Sequence, residues 1–144
     1  MGIPSFLNIP LVSVAPGDTV YDAAKTMKET KHGAVVVLDG EKLVGIFSER
    51  DLMTKVVVEN RDPQTTKVKD VMVSSVITVS VDDSVEDALK FMSKKHIRHL
   101  PLLDKKGKPV AMVSIRDILR HRMKELHQES ESLAAYFMAD GPGG

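Results

Sequence analysis

The chain of 144 residues contains no cysteine. Disulfides, thiol nucleophiles and zinc–thiolate sites are therefore excluded. It also lacks an excess of either charge: 20 Lys and Arg balance 20 Asp and Glu. A broadly basic surface for nucleic acid is not expected. No apolar run approaches the roughly 18 residues that a membrane span needs. Met1–Pro10 has no cationic start followed by an apolar stretch, so it does not read as a signal peptide. These absences predict a cytoplasmic protein with no membrane partner. Catalytic signatures are missing too. There is no Gly-x-Gly-x-x-Gly, no Walker-type Gly-Lys-Ser/Thr and no Gly-x-Ser-x-Gly elbow. No nucleophile, base and oxyanion donors can be assembled, so neither an enzyme nor a catalytic residue is expected. His96 and His99 are three apart, as metal ligands can be. No cysteine or nearby carboxylate completes a ligand set, so no metal site is expected.

What the chain does contain is a duplication. Val20, Asp22, Ala23 and Met27 recur as Val85, Asp87, Ala88 and Met92, each 65 positions later. Leu38 and Asp39 recur as Leu103 and Asp104 at the same offset. After one extra residue in the second copy, Ser48, Arg50 and Asp51 recur as Ser114, Arg116 and Asp117 at an offset of 66. The copies run over Val12–Met53 and Ile77–Leu119. A period this long implies two similar units rather than a solenoid. A unit of about 42 residues is near the lower limit for a self-sufficient core. The two are therefore expected to pack together as a pseudo-twofold pair, with equivalent clefts suited to ligands.

Each copy opens on a β-like stretch, Val12–Val14 or Val76–Val81. A helix start follows with capping-box spacing, Thr19/Asp22 and Ser84/Asp87. Apolar residues then fall at helical spacing, and lysines at 28–31 and 94–95 suit the helix C-terminus. Two apolar strands come next, Ala34–Leu38 with Leu43–Phe47 and Leu100–Leu103 with Val110–Val113, joined in the first copy by Asp39-Gly40. Their near-continuous apolar character predicts burial on both faces. A second helix starts near Arg50 and near Arg116. The fold class is α/β (α+β), with two β-α-β-β-α repeats. Glu59–Lys67 is polar, contains Pro63 and reads as a linker. The last helix is expected to run long, with a heptad-like stripe of Leu119, Met123, Leu126, Leu133 and Phe137 broken by Ser130. The glycines and proline of 141–144 read as a frayed tail. The basic cluster Arg116, Arg120, Arg122 and Lys124 reads as a solvated helix face.

The stretches Gly45-Ile46-Phe47-Ser48-Glu49-Arg50-Asp51 and Ala111-Met112-Val113-Ser114-Ile115-Arg116-Asp117 resemble the diagnostic ends of cystathionine-β-synthase (CBS) domains. So do Ile97–Asp104 and Lys69-Asp70-Val71-Met72. Two copies in tandem resemble a Bateman module over about Leu7–Leu119. The resemblance implies CBS domains at 7–58 and 68–122, a linker at 59–67 and a helical extension with its tail at 123–144. It further implies two sheets packed in a disc, dimerisation, adenosine-containing ligands in the clefts and regulation rather than catalysis.

Ser48-x-x-Asp51 and Ser114-x-x-Asp117 have a purely structural reading, since Ser at an N-cap and Asp in the first turn satisfy orphan amides. In the family, this Asp binds ribose hydroxyls and the Ser lies near phosphate, and the resemblance gives Asp117 that role ahead of Asp51. It also places Arg98 and His99 against ligand phosphate. Gly33 and Ala34 stand at the equivalent positions of the first copy, so two unequal clefts are expected. One would use Arg98, His99, Ser114, Arg116 and Asp117, with an adenine wall from about Leu7–Val12. The other would use Ser48, Asp51 and the segment Met72–Ile77, with Lys67 as its cation. The expected function is a sensor of AMP, ATP, ADP or NAD that acts on a partner protein as a homodimer. No obligatory cofactor is expected. The alternative is a constitutive interaction module with vestigial clefts.

Overall fold

The computed structural model describes residues 2–4 and 7–140. The 141–144 tail and the side chain of Phe137 lie outside the described residues. The order of elements is β1 (Asn8–Ile9), β2 (Ser13–Val14), α1 (Val20–Thr30), β3 (Ala34–Asp39), β4 (Lys42–Ser48) and α2 (Glu49–Asp51). A π-helical stretch, Leu52–Val57, continues α2, and a 3-10 turn spans Val68–Asp70. The second half contains β5 (Val79–Ser80), α3 (Val85–Lys95), β6 (His99–Leu103), β7 (Pro109–Ser114) and α4 (Ile115–Asp140). Two β-α-β-β-α repeats result, an α+β architecture with one sheet per repeat.

Both first helices start as their sequences dictate. The Thr19 hydroxyl accepts from the Asp22 amide at 3.2 Å, and Asp22 returns a bond to the Thr19 amide at 3.2 Å. Ser84 and Asp87 repeat this box. The exits are equivalent as well. Lys31 (φ 60°) and His96 (φ 55°) are left-handed residues that close α1 and α3. Neither is glycine, so both hold a conformation that costs an L-residue about 1–2 kcal/mol. That turn aims the chain directly into β3 and β6.

In the first sheet, β3 lies between β2, which is parallel, and β4, which is antiparallel. The second sheet places β6 between β5 and β7 in the same way. Each hairpin skips one residue of its return strand, Val44 or Val110, so the duplication extends to its β-bulges. Gly40 has φ 64° in the first turn, the conformation that the Asp-Gly signal requires. The second sheet has one more strand. β1 pairs antiparallel with β7, Asn8 opposite Val113 and Ile9 opposite Met112. Its counterpart in the first repeat is a single bridge, Ile46 to Val73.

Each repeat has its own apolar core. Val20, Ala23 and Met27 of α1 pack with Val35, Val37 and Phe47. Ala88 and Met92 of α3 pack with Leu100, Leu102 and Val113, joined by Ile3 and Leu7 from the N-terminus. The central strands are buried on both faces, since Ala34, Val36 and Pro101 are buried as well. β4 departs from that expectation. Only Gly45 and Phe47 are buried in it, because its other face is partly open beside the cleft described below. Gly45 must remain small: a Cβ there would collide with the Met72 side chain.

Several sequence-based expectations are corrected. The opening strands are shorter than Val12–Val14 and Val76–Val81, being limited to the residues that reach β3 and β6. The linker is structured. Its Thr66 and Pro63 carbonyls accept from the Val20 and Tyr21 amides at 2.9 and 3.0 Å, which satisfies the free donors of α1. The basic helix face is not wholly solvated, since Arg122 forms an ion pair with Glu86 of α3.

Candidate functional site

A cavity of about 770 Å³ opens where the two repeats meet. The start of β3, the β4–α2 junction, the 73–77 segment and the turn from α3 into β6 line it. Chain direction explains this convergence. Each left-handed exit delivers a strand start to the contact between repeats, and each β4- or β7-type strand runs back to that level before its helix begins. Gly33 and His99 meet there: a Cβ on Gly33 would stand 3.5 Å from His99 Cε1.

Ser48 and Asp51 form one wall. The Asp51 amide donates to Ser48 Oγ at 3.2 Å, and the Ser48 amide donates to Asp51 Oδ2 at 3.0 Å. The Ser48 hydroxyl also lies 3.0 Å from Oδ2. Asp51 Oδ1 is 3.3 Å from Lys55 Nζ, which in turn donates to the Val71 carbonyl at 3.3 Å. Asp51 is only 9% exposed, yet its carboxylate is fully engaged. The spacing of Asp51 and Lys55, four apart on a helix, is the signal that would have found this pair in the sequence.

The second repeat is built differently. The Ser114 hydroxyl accepts from the Arg116 amide at 3.2 Å, and Ser114 is buried. Asp117 is not drawn back into a capping box. Its nearest cation is Arg120, 3.9 Å away and mostly exposed. The position equivalent to Lys55 is His121, and that ring faces Glu125 at 3.1 Å. Asp117 is thus the freer of the two carboxylates, with a third of its side chain open.

Arg98 and His99 were expected with Ser114 and Asp117. They line the cavity that holds Ser48 and Asp51. His99 nevertheless belongs to both sides, because it pairs with Ser114 in the β6–β7 ladder. Burial pushes the His99 pKa down, and the nearby His32 and Arg98 add to that, while Glu49 and Asp117 oppose it. Of the other expected residues, Ile77 lines the cavity. Lys67 does not; it bridges to Thr19 at the start of α1. Met72 is turned into the first core against Gly45. The cations that face the cavity beside Arg98 are Arg50 and Lys95, with His96 next to them. The sequence places Lys95 at the end of a helix and weighs His96 only as half of a possible metal pair with His99; both line the cavity beside the left-handed turn at His96. Val12 packs on the first core, with its carbonyl accepting from Val36 at 3.0 Å. The N-terminal segment lies along β7 beside Ser114, as Val73 lies along β4 beside Ser48. Each return strand is therefore flanked by the segment preceding the other repeat. The site also contains an orphan: His32 Nδ1 is buried without a hydrogen-bond partner.

The depressed His99 pKa has a defined sign. Below the ordinary histidine value of about 6.5, the unfolded chain takes up a proton that folded His99 resists. Stability supplied by this group is complete above that pH and falls as pH drops through the folded value. His99→Gln is expected to lose less stability than the wild type between pH 7 and pH 5, measured by urea unfolding at each pH. Parallel curves would mean that His99 titrates normally.

The CBS domain family model matches residues 5–58 and 68–124. The chain is 40% identical over 124 residues to the mitochondrial CBS domain-containing protein CBSX3 of Arabidopsis thaliana, covering 83% of this chain and 60% of that relative's length. Among solved structures, the CBS domain protein PAE2072 of Pyrobaculum aerophilum, complexed with AMP, superposes with a TM-score of 0.73 at 28% identity, over 81% of this chain and 89% of that one. The CBS domain pair of protein MJ0100, in complex with 5'-methylthioadenosine and S-adenosyl-L-methionine, gives 0.78 at 25% identity, over 87% and 98%. Among the described residues no helix is long and apolar enough to cross a membrane. With both repeats matched and the fold shared, the chain belongs to the CBS domain family, as a tandem pair.

Proposed function

We propose that this CBS pair is a regulatory module that binds an adenosine-containing nucleotide between its repeats and acts, without catalysis of its own, on a partner protein. The observation that carries this reading is the meeting of Ser48 and Asp51 with Arg98 and His99 across one cavity between the repeats. A carboxylate on one wall suits ribose hydroxyls, and an arginine fork opposite suits phosphate. Val73, Val76 and Ile77 supply an apolar surface for a base. The volume is in the usual range for such ligands. Complexes of similar CBS proteins with AMP, methylthioadenosine and S-adenosylmethionine support the ligand class. AMP, ADP, ATP and NAD form the panel to test.

The module acts as a homodimer in this proposal. Met53 and Val57 of the first repeat are exposed, and so are their equivalents Leu119 and Met123. Matching apolar positions on both repeats make a surface that a second copy would cover.

A constitutive interaction module is the second reading, and one observation favours it for the first cleft: Asp51 is already occupied by Ser48 and Lys55. Thermal melting against the nucleotide panel separates the two. A ligand at about 100 times its Kd adds roughly 2.7 kcal/mol of stability. No shift with any member would leave the interaction module standing.

Two further outcomes are expected. For a nucleotide in this cavity, Asp51→Ala should cost about 1.5–3 kcal/mol of binding, the range for a hydrogen bond to a charged group. Asp117→Ala should cost less, because Asp117 is not among the residues that line the cavity. Calorimetry giving equal losses would remove the asymmetry. Arg98→Ala should weaken AMP far more than adenosine, since the lost contact is to the anion. Equal weakening of both ligands would transfer Arg98 from phosphate binding to the support of the fold.

A further inference from the structure

We propose that α4 is a self-docking surface, through which two copies of this chain pair their terminal helices antiparallel. This deepens the homodimer element of the reading above by naming the surface and its orientation. α4 runs 26 residues, and every described residue from 123 to 135 is exposed. Nothing in the described residues covers this part of the helix. Met123 is 70% exposed, Leu126 64% and Leu133 57%. A helical stretch of this length is marginal in water without an apolar partner.

The pattern on α4 specifies a helix as that partner. Leu119, Leu126 and Leu133 recur every seven residues on one line, and Met123 and Ser130 fill the alternate seam positions. Charge specifies which helix and which direction. The first half of α4, up to His127, contains Arg116, Arg120, Arg122 and Lys124 against Asp117 and Glu125, a net +2. The second half contains Glu129, Glu131 and Asp140, a net −3. A parallel pair would align like with like, at a cost. An antiparallel pair places each basic half along the other's acidic half, with Arg122 and Glu129 flanking the seam on facing helices. The complementarity is internal to one sequence, so the occupant it fits is a second copy.

The absence of cysteine gives a direct test. Leu119→Cys, Leu126→Cys and Leu133→Cys are made singly and treated with a short bismaleimide. Leu119 and Leu133 are two heptads apart, about 21 Å along the axis. In an antiparallel pair neither end variant cross-links with itself, a mixture of the two does, and Leu126→Cys, near the centre, cross-links alone. Each end variant cross-linking with itself would overturn the proposal in favour of a parallel pair. A wild type that sediments as a dimer with no cross-link at any position would move the interface elsewhere, to another face or another partner's helix. A monomeric wild type at micromolar concentration would overturn both the proposal and the homodimer. Nucleotide calorimetry on the same samples reports the sensor reading independently of any of these. Leu126→Asp with Leu133→Asp is expected to weaken the dimer about a hundredfold. Because both residues are fully outside the repeat cores, the melting of the body should be retained. Glu129→Lys with Glu131→Lys, which alters no apolar contact, turns the acidic half from −3 to +1, so it should weaken the dimer and reverse the sign of its salt dependence. A dimer indifferent to both double variants would overturn the proposal.

Discussion

The burial of β3 and β6 on both faces is the constraint on which the rest of the molecule depends. Each is the central strand of a small sheet with the helices of its own repeat against one face. A single repeat has nothing to place on the other. Val35 and Val37 face the first core, while Ala34 and Val36 are buried without belonging to it. Repeat must therefore lie near repeat at the strand starts, which is where Gly33 meets His99. The cavity follows from this meeting, because two pleated strand ends with helices starting beside them cannot fill the space between. The first repeat places its serine-capped helix start at the gap, the second its 73–77 segment and the turn into β6. A ligand site thus arises as the unfilled remainder of a packing problem that is solved twice.

The duplication is faithful in its scaffold and unfaithful in its cleft. Capping boxes, left-handed exits and β-bulges all recur at equivalent positions. The differences concentrate around the two aspartates. At one position the first repeat has Lys55 and the second His121. Lys55 reaches back to Asp51 and the Val71 carbonyl, whereas His121 faces Glu125. The first repeat continues as a π-helical stretch, while the second continues as regular helix. A π-helical turn widens the ladder and re-aims its side chains, and it occurs directly after the carboxylate that Lys55 neutralises. The two aspartates therefore differ in free charge even though both sit in a Ser-x-x-Asp pattern.

Most of the scaffold was legible in the sequence, because it depends on local chemistry. Thr19 and Ser84 announced their helices through side-chain bonds formed within three residues. The Asp39-Gly40 turn announced its hairpin. What was not legible depends on contacts between distant segments. β1 has only two residues, Asn8 and Ile9, and pairs with β7 more than a hundred positions away. No local pattern distinguishes so short a strand. The grouping of residues around the cavity depends on such contacts as well. The resemblance groups Arg98 with Ser114 and Asp117, whereas Arg98 lines the cavity beside Ser48 and Asp51. Lys67 bridges to Thr19 away from the cavity, while Lys95 and His96 line it beside a left-handed turn that no glycine marks. The resemblance to CBS domains supplied candidate residues, and the fold brings Ser48, Asp51, Arg98 and His99 around one cavity.

The freer aspartate also occupies a particular place in the architecture. Asp117 is in the first turn of α4, next to Ser114 at the end of β7, and the same continuous helix carries Leu126 and Leu133 beyond the body. Asp51 has no such extension, since its helix ends at Val57 and the chain turns away at Asn60, where φ is 56°. A ligand affects assembly only to the extent that it binds one arrangement better than another. A contact on Asp117 acts on the base of the helix whose far end is exposed, whereas a contact on Asp51 acts on a short element already anchored by Lys55 to the first core. The asymmetry in charge and the asymmetry in helix length thus fall on the same repeat, so that any contact made on Asp117 would have the shorter mechanical path to the exposed helix.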